Sequence, residues 1–206
     1  MKLQSIVDES LKTYQLKYGT KMFKDKESYG NWLAQTYYFV RHSTSLLGYA
    51  MPHLHNEELR HHFEHHLAEE KRHDLMILKD LERMGKKIED YEELHLTQAF
   101  YQSQYYRIAF EGGTSLLGYI LLLEGLAVCW GRNVYEEIKD QYKGSTLFLK
   151  VHAEEDPHHL EAAIQTILKL PEKDQKAVLR NFNYSHEIYS SLIEEISHKK
   201  SLRIAA

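Results

Sequence analysis

The chain has little of what usually staples or interrupts a fold. One cysteine, Cys129, among 206 residues excludes an intramolecular disulfide and suits a reducing compartment. Three prolines and ten glycines leave long stretches unbroken. Between them the apolar residues recur at three- and four-residue spacing rather than alternating, which is the pattern of helices and not of strands. Basic residues are scattered and slightly outnumbered, giving a net charge of −4, so no nucleic-acid partner is expected. No apolar run follows Lys2 in "MKLQSIVDES", so no secretory signal is expected and the protein reads as cytoplasmic. The longest apolar run, Leu116 to Trp130, is short for a membrane span and carries Glu124 in its middle. It reads as a buried helix, with no membrane span expected.

What is present is an ordinary globular balance, 43% hydrophobic and 27% charged residues, enough for one domain over residues 1–206 with a substantial core. The periodicity predicts seven helices, at about 3–18, 28–50, 56–84, 91–110, 114–142, 145–169 and 173–198. Seven helices with short connections imply a compact all-α bundle, in which sites are built from inward side chains on facing helices. The string "TSLLGY" occurs at Thr44–Tyr49 and again at Thr114–Tyr119. It predicts close helix packing at Gly48 or Gly118, with the leucines in the core.

Fourteen histidines are the one compositional excess, and several gather in two similar strings, "HLAEEKRH" at 66–73 and "HAEEDPHH" at 152–159. On a helix, positions 0, +4 and +7 fall within roughly 60° of one another. His66, Glu70 and His73 would then share one face, as would His152, Asp156 and His159. Imidazoles with carboxylates and no cysteine suit iron or manganese better than structural zinc. A solvated charged face is the plain alternative for the first string, and either Glu69 or Glu70 could point inward. In the second, Pro157 allows Asp156 to be an N-cap instead, or the segment to be kinked or partly unwound.

Glu124 in "LLLEGLA" has apolar neighbours on every side of its helix and cannot easily avoid burial. A buried carboxylate needs a counter-charge, a proton or a metal. A paired core acid is the alternative, but the two histidine strings supply a better partner. The expected site therefore holds two metal ions, iron with manganese as the alternative. Glu124 is the central catalytic acid bridging the pair, Glu70 and His73 hold one ion, and His152, Asp156 and His159 hold the other. His66 is a further candidate ligand.

These residues resemble the haem-oxygenase-like di-iron oxidases and oxygenases, also called iron-containing redox enzymes. The resemblance rests on "EExxH" at Glu69–His73, the lone Glu124, "HxxxDxxH" at His152–His159 and "YFVRH" at Tyr38–His42. It implies a seven-helix haem-oxygenase-like fold, ferrous ions that react with O2, and oxidation of a small organic acid or amine. It departs where some members have Glu seven residues before the first His, a place that holds His66 here. The expected partners are a small-molecule substrate and O2, with a homodimer as the expected assembly.

Three other readings fit less well. A ferritin-like di-iron bundle needs an early interior Glu, which the helix at 28–50 lacks. Metal-free relatives of the TenA and PqqC type need other chemistry, such as a nucleophilic cysteine, and Cys129 reads as a small core residue. A metal-storage protein would bind iron without a substrate pocket. For the substrate, Arg41 is a candidate carboxylate anchor and Tyr38 a candidate pocket wall. A surface ion pair and ordinary core packing are their respective alternatives.

Overall fold

The computed structural model describes residues 3–198, apart from the side chains of residues 3, 4, 6, 8, 155–158 and 198. All regular structure among the described residues is helical. The α-helices are α1 (Leu3–Tyr18), α2 (Lys26–Val40), α3 (Ser43–Ala50), α4 (Glu57–Glu69), α5 (His73–Arg83), α6 (His95–Glu111), α7 (Leu116–Leu126), α8 (Arg132–Ile138), α9 (Leu147–Leu168) and α10 (Glu172–His198).

Local chemistry sets several of the ends. Asp25 accepts the Ser28 N–H at 2.9 Å and starts α2, and Asn56 accepts the Leu59 N–H at 3.1 Å and starts α4. Gly85 and Gly112, with φ of 70° and 94°, follow α5 and α6, where a side chain would disfavour the backbone.

Two of the seven expected helices are broken. The stretch at 28–50 divides at Arg41 and His42 into α2 and α3, with neither Gly nor Pro to mark the place. A tertiary contact accompanies the break, the His42 ring stacking on Tyr101 of α6 with centroids 3.9 Å apart. The stretch at 56–84 divides at residues 70–72, where Arg72 takes a left-handed φ of 73°. That conformation costs about 1–2 kcal/mol for a residue with a Cβ, so packing elsewhere must hold it.

Helix α7 lies in the middle of the bundle, with α1, α9 and α10 against it. Its fit to α10 depends on Gly118, where a Cβ would come within 2.2 Å of the Val178 carbonyl oxygen. The matching Gly48 has room, since its nearest neighbour would be Leu67 Cδ1 at 3.9 Å. Close packing therefore explains one half of the repeated string. A π-helical turn, Ala127–Gly131, joins α7 to α8. The run Gly113–Ile138 is apolar and long enough to cross a membrane by length and composition, yet it is mostly buried inside the fold, as a core helix is.

Candidate metal centre

The strained turn at 70–72 lies at the histidine-rich end of the bundle, where α4, α5, α7 and α9 bring their acids and imidazoles together. His66 is on α4, Glu70 caps its C-terminus, His73 opens α5, Glu124 is near the end of α7, and His152 and His159 are on α9. His66, Glu70 and His73 do not share one continuous helix, as the spacing predicted. They meet across the break instead. Glu70 Oε1 lies 3.5 Å from both His66 Nε2 and His73 Nδ1.

His152 joins this group rather than His159. One donor atom from each of Glu70, His73 and His152 lies within 4.8 Å of the others, and the His73 and His152 rings are 4.9 Å apart, edge to face. His159 faces Glu124 instead, with Nδ1 3.6 Å from Glu124 Oε2, while Glu124 Oε1 is 3.4 Å from His66 Nε2. His152 and His159, expected together on one ion, thus stand beside different acids. Seven helical residues separate them by about 10 Å along the axis, and α9 stays helical through Pro157. The side chain of Asp156, the third member expected there, lies outside the described residues.

Burial and charge set the protonation of the group. Burial alone would raise the Glu70 pKa, but His66 and His73 outweigh it and hold the carboxyl well below the usual carboxylate range. Burial opposes charge on His66, yet Glu70 and Glu124 prevail and push its pKa up. Burial lowers the His152 pKa, keeping that ring neutral. Its Nδ1 is 2.8 Å from the Phe148 carbonyl oxygen, which can only accept, so Nδ1 carries the proton and Nε2 presents its lone pair. This is the arrangement that usually fixes a ligating imidazole.

The donor set fits a metal. Donors on one ion at about 2.0–2.2 Å lie about 3.0–3.5 Å apart, and the acid–imidazole contacts of 3.4–3.6 Å are longer than good hydrogen bonds but close to that spacing. Glu124 is only 6% exposed, and its Oε2 is buried without a hydrogen-bond partner. A second-row acid does the orienting. Asp80 of α5, fully buried, accepts the N–H groups of Leu147 and Phe148 at 2.9 Å each and so fixes the start of α9 relative to His73. Sequence reasoning missed it, although Asp80 falls on the buried stripe of Ile77, Leu81 and Met84.

A cleft with a volume of about 100 Å³ adjoins the donors. Its wall includes Trp32, Phe39, Leu46, Ile120, Leu123 and the π-turn residues Ala127 and Trp130, and His66, Glu70, Glu124 and His152 stand along it. Among the described residues, no Lys or Arg lines it. Tyr119 also reaches the cleft, its hydroxyl buried and without a partner. Arg41 and Tyr38 do not reach it. As the C-cap of α2, Arg41 lies over the Tyr37 and Tyr38 rings and 3.5 Å from Glu93. Tyr38 donates its hydroxyl to the Tyr91 carbonyl oxygen at 2.8 Å.

Comparison with known proteins agrees with this picture. The model of a family described as iron-containing redox enzymes matches residues 30–188. Among solved structures, a domain of unknown function with a haem-oxygenase-like fold from Shewanella denitrificans is 19% identical with a TM-score of 0.74, over 95% of this chain and 90% of that one. A TenA homologue from Pyrococcus furiosus is 12% identical with a TM-score of 0.68, over 96% of this chain and all of that one. At such identities these likenesses establish the haem-oxygenase-like fold alone. No curated protein matches.

Proposed function

Because the chain belongs to the family of iron-containing redox enzymes, we propose that its buried acids and imidazoles hold two iron ions and that it carries out an O2-dependent oxidation of a small organic substrate. The observation that supports this best is the convergence of Glu70, His73 and His152 within 4.8 Å beside an apolar cleft. One position takes Glu70, His73 and His152. The other takes His66, Glu124 and His159, with His66 between the acids of the two positions, 3.5 Å from Glu70 and 3.4 Å from Glu124, and Asp156 of α9 remains a candidate for it. Manganese is the alternative metal.

Bound ferrous iron would supply the reducing electrons for dioxygen chemistry. The chain's own residues prepare the place. His152 is held as a neutral donor by the Phe148 carbonyl, and Glu70 stays ionised between its histidines. The aromatic and aliphatic wall excludes water and favours a substrate that is mostly apolar. The Tyr119 hydroxyl, without a partner in the fold, orients the polar end of that substrate by donating to an acid or accepting from an amine. A cysteine-dependent route finds no support, since Cys129 is not among the residues lining the cleft.

The test is oxygen consumption by the iron-loaded protein against panels of small acids and amines with apolar chains, beside the metal-free protein. Substrate-dependent uptake by the loaded form alone is the expected result. Equal turnover without metal would contradict the proposal.

A further inference from the structure

Several histidines of the first string stay outside the inner donor set. His62 and His65 on α4 line a second, outer cavity with His66, Glu69, His159 and the small residues Ala162 and Ala163 of α9. His66 and His159 thus border both the outer cavity and the inner group. The His62 Nε2 atom is buried without a hydrogen-bond partner.

From this mouth an unbroken ladder of alternating imidazoles and carboxylates runs inward. His65 Nδ1 is 3.1 Å from Glu69 Oε2, and Glu69 Oε1 is 3.6 Å from His159 Nε2. His159 Nδ1 is 3.6 Å from Glu124 Oε2, and Glu124 Oε1 is 3.4 Å from His66 Nε2. His66 and His73 then meet on Glu70 Oε1, 3.5 Å from each. Side-chain exposure falls along it from 76% at His65 to 33% at Glu69, 23% at His159 and 7% at Glu124.

Taking the inner donors as metal-holding, as proposed above, we infer that the mouth formed by His62, His65 and Glu69 captures hydrated divalent transition-metal cations and passes them inward along this ladder. A metal ion sheds its waters reluctantly, and a row of donors spaced one coordination sphere apart lets it exchange water for protein ligands one at a time. His159 is the pivot, because its two ring nitrogens face Glu69 outside and Glu124 inside. The acids at the mouth and along α4, including Glu64 and Glu69, favour cations over anions there.

The experiment mixes the full-length metal-free protein with Co2+, follows the visible absorbance of the bound ion by stopped flow, and counts cobalt per chain after gel filtration. The His62→Ala/His65→Ala variant should load about tenfold more slowly, within the range by which charged, ligand-lined clefts accelerate association, and should reach the wild-type final count. His61→Ala, at an 84% exposed side chain paired with Glu64, should load at the wild-type rate. Should the double variant melt early, His65→Ala alone is still expected to slow loading. An unchanged rate would overturn the entry route and leave the inner site standing. A lower final count would also overturn it, because those residues would then be resident ligands. No bound cobalt in the wild type would overturn the metal reading of the inner site and the route together.

Discussion

The carboxylate of Asp80 accepts the backbone N–H of Phe148 at 2.9 Å, so the acid that starts α9 is supplied by α5. The same carboxylate takes the Leu147 N–H, and one buried side chain thereby sets the helix carrying His152 against the helix carrying His73. Replacing it with Ala strands two N–H groups at a buried helix start. Asp80→Ala should lower unfolding stability by about 3 kcal/mol in a urea titration and weaken metal retention. A loss below about 0.5 kcal/mol would show that water satisfies those groups equally well.

The two copies of "TSLLGY" predict opposite responses to the same change. Gly118→Ala drives a methyl against the backbone of α10, 2.2 Å from Val178 O and 2.6 Å from Phe182 N, and should cost about 1–3 kcal/mol or more through overpacking. Gly48→Ala meets only ordinary contact and should stabilise α3 by about 0.5–1 kcal/mol. Thermal melts of the two variants on opposite sides of wild type are the expected result.

Tyr119→Phe separates stability from function. The buried hydroxyl has no partner, so deleting it should raise the melting temperature slightly. It should also raise KM more than it lowers kcat, because the substrate loses a hydrogen-bond partner and the proposed iron ligands are untouched. Equal KM in the two proteins would remove Tyr119 from substrate binding.

His42 gives a pH signature away from the proposed iron ligands. Burial first, then the Arg41 charge, lowers its pKa below the ordinary value, with Glu93 opposing. Above about pH 6.5 the ring is neutral whether folded or unfolded, and its contribution is complete. As the pH falls below that value the unfolded chain takes up a proton that the folded ring resists, so stability is lost on acidification. His42→Phe, which keeps an aromatic ring against Tyr101, should flatten the melting temperature between about pH 7 and 5.

The sequence carried the helical class and the burial of Glu124, because each leaves a local mark: three- and four-residue spacing, and an acid in an apolar run. The breaks at Arg41–His42 and residues 70–72 left none: His42 stacks on Tyr101 of another helix, and Arg72, which takes the left-handed turn, is not a residue type that marks one. The histidine strings were recognised, but the division of their members was not. Spacing on one helix says which residues share a face, and does not say that Glu70 faces His152 of another helix while His159 turns to Glu124. Arg41 and Tyr38 do not line the cleft, their direction being fixed by the end of α2 and not by composition.

The most direct test is the iron count per chain after anaerobic loading with ferrous iron and removal of loosely held metal, for wild type, His73→Ala and Glu124→Ala. The account predicts about two ions in the wild type, with fewer in each variant while the helical signal and melting behaviour stay close to wild type. No iron in the wild type, or the same count in all three proteins, would contradict it.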